Sequence, residues 1–276
     1  MTADSEVAKF VGEILANLSA SGGKKLHSCR SPEDDLSAIQ QLDYAAGVRA
    51  LLDRRRVEEV VSAAQGIFPD LNRRHDPAHI EGWLSGNPSR GLRKLIAQVR
   101  NHRDLHFQDT PFDGEGLALR GFFVDPDGQS LKRPLIYVNT AHHPVAAAAT
   151  LFHEVGHLVA SELFQARGSA VQFFFDIDYA GHLDDLSELT ADVVLAVAAY
   201  PAPVAREIFG CPAKSRTENR SLTTDRMLAR ILEHYRTRFG VSLGGADMPA
   251  SRKLNYLGGM IHFAKLRSAL LTEYDL

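Results

Sequence analysis

Residues 151–159 contain two histidines four positions apart, with a glutamate directly after the first. In an α-helix this spacing places His153 and His157 on one face, about one turn apart, so that two neutral imidazole nitrogens point to a common position. Such a pair can bind one zinc ion, and the Glu154 carboxylate then lies beside the open coordination position, where it can take a proton from zinc-bound water. The pattern is typical of metal-assisted amide hydrolysis. Its alternative is a pair of core histidines on a buried helix.

The residues around this motif predict that it is helical. Pro144 suits a first helical turn, and four alanines at positions 146–149 follow it. Apolar residues on the remaining face predict a mostly buried helix. Gly156 leaves room for another backbone or the metal to approach, at a cost of about 1 kcal/mol of helix stability.

A second predicted helix supplies a third zinc ligand. Acidic and N-capping residues at positions 184–188 lead into an apolar run that stops at Pro201. Glu188 lies in the first turn and Asp192 one turn later on the same face. We interpret Glu188 as a zinc ligand and Asp192 as the acceptor that orients a ligand histidine through its N–H. The alternative is two solvated acids at the start of a helix.

The link between these helices offers groups that could stabilise the oxyanion formed when water attacks a peptide carbonyl. Zinc alone rarely supplies all of that stabilisation, and a phenol or an imidazolium commonly donates a hydrogen bond. Tyr179 and His182 lie in the link and are the predicted catalytic partners of Glu154. Tyr235 is a third candidate, although its position on an amphipathic pattern also suits a core residue.

These segments together resemble the ImmA/IrrE family of zinc metallopeptidases. Three motifs carry the resemblance: His153-Glu154-x-x-His157, Glu188-x-x-Ala191 before Pro201, and the strand-like run from Arg133 to Asn139. The similarity covers roughly residues 117–201 and continues more weakly to about residue 243. The aromatic and acidic stretch 173–179 departs from the family pattern, so substrate choice does not transfer.

The resemblance implies a regulatory zinc-dependent metallo-endopeptidase. Its substrate would be a protein such as a helix-turn-helix repressor that controls a stress response. The other class of function that the residues leave open is a non-catalytic zinc-binding regulator that acts by protein–protein binding. An intact Glu154 beside the three ligands favours the peptidase, because a binding scaffold has no need of a base at the metal.

Between residues 117 and 139 the apolar pattern changes from helical to extended. Residues 117–124 and 135–138 predict two strands joined through the turn residues 125–128. We expect residues 119–124 to align an extended substrate by backbone pairing, while the order of the strands stays open. The predicted fold class is therefore α+β: a mostly helical, zincin-like metallopeptidase with a small β-sheet beside the histidine helix.

Helical patterns fill the rest of the chain and predict two regions. Residues 1–105 form an N-terminal helical region, with an amphipathic stripe from Val7 to Leu18 and a long helical pattern from Ser37 to Gly66. Residues 106–276 form the predicted metallopeptidase domain, which ends in C-terminal helices.

Composition limits the classes of function. A chain of 276 residues with 45% hydrophobic and 24% charged residues predicts a globular protein with an ample core. A net charge of -3 gives no electrostatic reason for membrane or nucleic-acid binding, and we find no helix-turn-helix pattern. The first residues lack the features of a secretory signal, and two cysteines are too few for a disulfide framework. We therefore expect a cytoplasmic protein.

Overall fold

The computed structural model describes residues 3–20, 39–73, 88–102, 104–112, 119–126, 131–142, 144–166, 171–174, 179–210, 224–239 and 250–276. These residues are mostly helical and include a four-stranded β-sheet, which confirms the predicted α+β class. Among them, no single helix is both long enough and apolar enough to cross a membrane. Two consecutive helices, Leu186–Ala199 and Ala202–Phe209, have the required length and apolarity when taken together, but they are bent by 80° relative to each other.

The described residues before the sheet include the helices α1 (Ala3–Ala20), α2 (Tyr44–Leu51), α3 (Arg54–Ile67) and α4 (Pro88–Arg100). The long helical pattern predicted from Ser37 to Gly66 is divided into separate helices over its described residues, because two aspartates start new helices within it. The Asp43 side chain accepts a hydrogen bond from the backbone N–H of Ala46, and Asp53 accepts one from Arg56. Each aspartate caps the first turn of the helix that follows.

The sheet consists of β1 (His106–Gln108), β2 (Gly121–Val124), β3 (Leu135–Val138) and β4 (Val171–Phe174), in the order β1-β3-β2-β4. Strand β2 is antiparallel to both β3 and β4, and β1 is parallel to β3. The two predicted strands are present as β2 and β3. The expectation that residues 119–124 pair with a substrate is wrong, because β2 already pairs with a strand on each side.

In the described part of the chain after β3, helix α5 (Pro144–Phe164) precedes β4. The helices described after β4 are α6 (Tyr179–His182), α7 (Leu186–Ala199), α8 (Ala202–Phe209), α9 (Thr224–Phe239) and α10 (Ala250–Tyr274). Helix α5 packs most extensively along α7 and also covers β2 and β3. A Cβ atom on Gly156 would lie 2.3 Å from the Cα atom of Ala191, so this close approach of α5 and α7 requires glycine.

The buried side chains of the described residues form two clusters, one on each face of the sheet. The larger cluster joins helices of both predicted regions and includes Val48, Val60, Leu95, Val155 and Val193. The smaller one packs α1 against the opposite face of β2 and β3. Helix α5 is consequently buried from Leu151 to Ala160, and the larger cluster holds it in place from several directions. The boundary at residue 105 stays a prediction.

Candidate metal centre

His153 and His157 on α5 face Glu188 in the first turn of α7. The Nε2 atoms of the two histidines are 3.1 Å apart, and Oε2 of Glu188 lies 3.4 Å from the first and 3.7 Å from the second. A tetrahedral site with Zn–N distances of about 2.0–2.1 Å places its ligand atoms about 3.3 Å apart. The largely buried group of His153, His157 and Glu188 could therefore hold a metal ion.

Local sequence explains how Glu188 reaches this position. The Asp185 side chain accepts hydrogen bonds from the backbone N–H groups of Ser187 and Glu188, which starts α7 and orders its first turn. One turn further on, Ala191 packs directly against Gly156. The N-cap and this contact together fix the position of Glu188 relative to the histidines of α5.

Each of these histidines contacts a polar side chain through its other ring nitrogen. Nδ1 of His157 lies 2.9 Å from Oγ of Ser187, and Nδ1 of His153 lies 3.3 Å from Oδ1 of Asp192. Partners of this kind hold the ring of a metal-binding histidine and keep Nε2 directed at the ion. The sequence predicted Asp192 as such a partner of a ligand histidine. It did not point to Ser187, which directly precedes Glu188.

Asp192 is fully buried and contacts three histidines. Its Oδ1 faces His153, while its Oδ2 accepts hydrogen bonds from Nδ1 of His182 at 2.8 Å and from Nε2 of His262 at 2.9 Å. Burial alone would raise the pKa of Asp192, but the neighbouring histidines outweigh it and hold that pKa well below its usual value. Asp192 is therefore a buried carboxylate that is stabilised by hydrogen bonds from His182 and His262 and lies in ion-pair contact with His153.

Glu154 is also fully buried, yet neither of its carboxylate oxygens has a hydrogen-bond partner among the described residues. Burial raises the pKa of Glu154 to about 8. A Cβ atom on Gly121 of β2 would lie 3.4 Å from Oε1, so the strand passes close to this carboxylate. A buried carboxylate without partners is costly. A metal ion at the adjacent residues, together with water, would supply the missing partner, and the residues present fit such an ion.

The pKa values of the two α5 histidines shift in opposite directions. Burial lowers the pKa of His153, but the neighbouring carboxylates of Asp192 and Glu188 outweigh burial and raise it to about 10. Burial, together with the charge on His153, lowers the pKa of His157 to about 3. Burial would raise the pKa of Glu188, but His153 outweighs it and lowers that pKa to about 2. The opposite shifts of His153 and Glu188 follow from the short distance of 3.4 Å between Nε2 of the one and Oε2 of the other.

The structure brings His182 to the same place. Its Nε2 lies 3.5 Å from Oε2 of Glu188, and its side chain is 13% exposed. Burial lowers the pKa of His182, but Asp192 outweighs that effect and raises the pKa above its usual value. The side chains of Tyr179 on α6 and Tyr235 on α9 lie outside the described part of the structure, so their roles stay predictions.

Two further residues at the centre were missed by sequence analysis. His262 on α10 contacts Asp192, and the hydroxyl of Tyr44 on α2 lies 2.7 Å from Nδ1 of His262. The only local signal was a histidine between the apolar residues Ile261 and Phe263. Nothing in the sequence joins this histidine to a tyrosine far away in the N-terminal region.

Comparisons of the chain with models of protein families, with curated proteins and with solved structures found no match. The resemblance to the ImmA/IrrE family therefore stays a prediction that rests on the motifs described above. What the protein does has to be inferred from the chemistry of the site itself.

Proposed function

We propose that this protein is a zinc-dependent metallo-endopeptidase. The observation that carries the proposal is the buried Glu154 carboxylate, which has no hydrogen-bond partner among the described residues. Glu154 directly follows His153, and His153 belongs to the group of side chains that could hold a metal. When bound, zinc would act as a Lewis acid that polarises a peptide carbonyl and makes water more acidic. His153, His157 and Glu188 would hold it.

Glu154 is the proposed general base. A carboxylate whose pKa is raised to about 8 by burial exchanges protons readily near neutral pH. It would accept a proton from the attacking water and return it to the leaving amine. Both oxygens of Glu154 are available for this transfer, because no described side chain or backbone group forms a hydrogen bond with them.

His182 is the proposed donor to the oxyanion. The hydrogen bond from its Nδ1 to Asp192 fixes the ring, and its Nε2 lies on the Glu188 side of the centre. A preorganised N–H aimed at the position where negative charge develops can lower the barrier substantially. Tyr179, at the other end of the short helix α6, is the alternative donor.

The proposed substrate is a protein, and the regulatory role comes from the ImmA/IrrE resemblance. A repressor of the helix-turn-helix type in the same cytoplasm is the substrate class that the resemblance implies. Glu188 and His182, with side chains 27% and 13% exposed, are the most accessible groups of the centre. A peptide would therefore approach from the side of the centre that these residues form.

A second candidate is a zinc-binding regulator without catalytic activity. The observation in its favour is the near-complete burial of His153, Glu154 and His157, because closed sites are typical of structural zinc. Against it stands Glu154, since a carboxylate without partners would only destabilise a purely structural site.

The Glu154→Gln variant separates the two candidates. Glutamine keeps the shape of Glu154 but cannot accept the proton, so the variant should fold, bind zinc and bind its partner while cleavage falls at least about 100- to 10,000-fold. Because cleavage is lost, the variant should also fail to complement a deletion of the gene. His182→Ala and Tyr179→Phe are measured in the same assay at saturating zinc, and one of the two variants should lose turnover. A Glu154→Gln variant that complements a deletion as well as wild type would reject the peptidase and favour the binding regulator.

A further inference from the structure

A buried chain of polar contacts, two of them hydrogen bonds, runs from the candidate metal centre into the N-terminal region. The Tyr44 hydroxyl lies 2.7 Å from Nδ1 of His262, and Nε2 of His262 lies 2.9 Å from Oδ2 of Asp192. The other oxygen of Asp192 lies 3.3 Å from Nδ1 of His153. All four residues are buried. The chain thus connects helices α2, α10, α7 and α5.

When the His262 ring is neutral, the donors and acceptors in this chain allow one consistent arrangement. An ionised carboxylate only accepts hydrogen bonds, so Nε2 of His262 must carry the proton that faces Asp192. In the neutral ring Nδ1 is then an acceptor, which receives the hydrogen bond of the Tyr44 hydroxyl. Burial lowers the pKa of His262, which agrees with a neutral ring. Tyr44 therefore selects the tautomer of His262 that donates to Asp192.

The donor from His262 matters for the orientation of the Asp192 carboxylate. Rotation of an aspartate carboxylate about its terminal torsion meets only a broad, shallow preference, so its hydrogen-bond partners decide where each oxygen points. His262 and His182 both bind Oδ2, and this leaves Oδ1 to face His153. Without His262, the carboxylate would keep one donor on Oδ2 and could turn away from the metal-binding ring.

We infer that Tyr44 and His262 are positioning residues of the metal centre, which act through Asp192 to hold the His153 ring with Nε2 directed at the ion. The inference rests on the metal-dependent function proposed above. It also gives helices α2 and α10 a role in the site, although both lie outside residues 117–201, where the family resemblance is strongest. The N-terminal region would then be part of the metal centre.

A purely structural role is the competing explanation, since the rings of Tyr44 and His262 also pack edge to face with their centroids 5.2 Å apart. Another tyrosine of the protein, Tyr274, offers a matched control. The Tyr274 hydroxyl near the end of α10 donates a hydrogen bond of 2.7 Å to the carbonyl of Leu52, which directly follows α2. Tyr274→Phe therefore removes an equivalent link between the same two elements without touching Asp192.

The test compares full-length wild type, Tyr44→Phe, His262→Leu, His262→Gln and Tyr274→Phe. Zinc affinity is measured by competition with a chromophoric chelator at one pH. We expect about tenfold weaker zinc binding for Tyr44→Phe and about 10- to 100-fold weaker binding for His262→Leu. His262→Gln should recover most of the loss, because its amide nitrogen can replace Nε2 as the donor. Tyr274→Phe should bind zinc like wild type.

Nitrogen-15 spectra of the metal-free protein test the same chain without zinc. His262 should appear as the neutral ring protonated at Nε2, and Tyr44→Phe should change the Nδ1 signal. A ring protonated at Nδ1 alone would overturn the inference, as would wild-type zinc affinity in both Tyr44→Phe and His262→Leu. The latter result would leave the zinc site standing. Failure of the wild type to bind zinc would instead overturn the proposed function and this inference together.

Discussion

At the scale of single residues, three carboxylates of the centre have three different surroundings. Glu154 is buried without a described partner, and its pKa rises to about 8. Glu188 is partly exposed beside His153, and its pKa falls to about 2. Asp192 is buried but receives hydrogen bonds from histidines. Environments that drive carboxylate pKa values apart are typical of sites in which each acid has its own task.

Substitution of Asp192 and Glu188 separates orientation from metal binding. Asn in place of Asp192 keeps the volume but removes the charge and one acceptor, so zinc affinity should fall by about 10- to 100-fold without being abolished. Glu188→Ala removes a ligand and should leave the protein nearly metal-free. Chelator competition measures both variants, with circular dichroism as the control for folding. A milder loss in Glu188→Ala than in Asp192→Asn would mean that the two carboxylates have exchanged roles.

The histidine and glutamate positions of the centre could be predicted because helical periodicity relates them locally. His153 and His157 share one helix, and Glu188 and Asp192 share the next. His262 and Tyr44 could not be predicted in this way, because they are 218 positions apart and meet only through packing of α10 on α2. Periodicity places residues on a face of one helix and gives no information about which distant helix covers that face.

At the scale of elements, the centre depends on the contact between α5 and α7. A Cβ atom at Gly156 would lie 2.3 Å from Cα of Ala191 and 3.1 Å from its carbonyl carbon. These are backbone atoms and cannot move away as the tip of a side chain can. The distance between the two helices, and with it the distance between the histidines and Glu188, is therefore set by the absence of a side chain at position 156.

Gly156→Ala should push the two helices apart. Alanine gains about 1 kcal/mol of helix propensity, but overpacking a well-packed core typically costs about 1–3 kcal/mol. Because the clash is with backbone, we expect a net loss of stability at the upper end of that range together with weaker zinc binding. Chemical denaturation of the metal-free protein and chelator competition measure the two effects.

Gly12→Ala is the matched control for this substitution. Gly12 lies inside helix α1, and a Cβ atom there would have no heavy atom within 4 Å. This variant should be stabilised by about 0.5–1 kcal/mol and bind zinc unchanged. Equal stability changes at Gly12 and Gly156 would show that the contact with Ala191 does not constrain the helices.

The elements themselves were predicted unevenly. Helices α5 and α7 carry strong signals: an alanine run after proline in one, and N-capping acids before an apolar run in the other. Strands β1 and β4 have three and four residues, too few for a reliable alternation, and are defined by their pairing with distant strands. The two aspartate caps that divide the long N-terminal pattern were overlooked because the apolar periodicity continues across them.

At the scale of the whole molecule, the N-terminal helices α2, α3 and α4 share one core with the candidate centre. Phe68, directly after α3, packs edge to face on Phe152 with ring centroids 4.8 Å apart, and Phe152 directly precedes His153. The helices of residues 39–100 thus cover part of α5 next to the centre, in addition to the hydrogen bonds made by Tyr44. Burial on this scale explains how a helix with two histidines and a glutamate can lie inside an apolar core.

The zinc content of the purified protein tests the central claim most directly. Elemental analysis should find close to one zinc per chain in the wild type and almost none in His157→Ala, because two remaining ligands bind zinc weakly. His234→Ala is the control, since this mostly buried histidine contacts Glu207 away from the centre, and its zinc content should equal that of the wild type. Full zinc retained by His157→Ala, or no zinc in a folded wild type supplied with the metal, would contradict the assignment of this site.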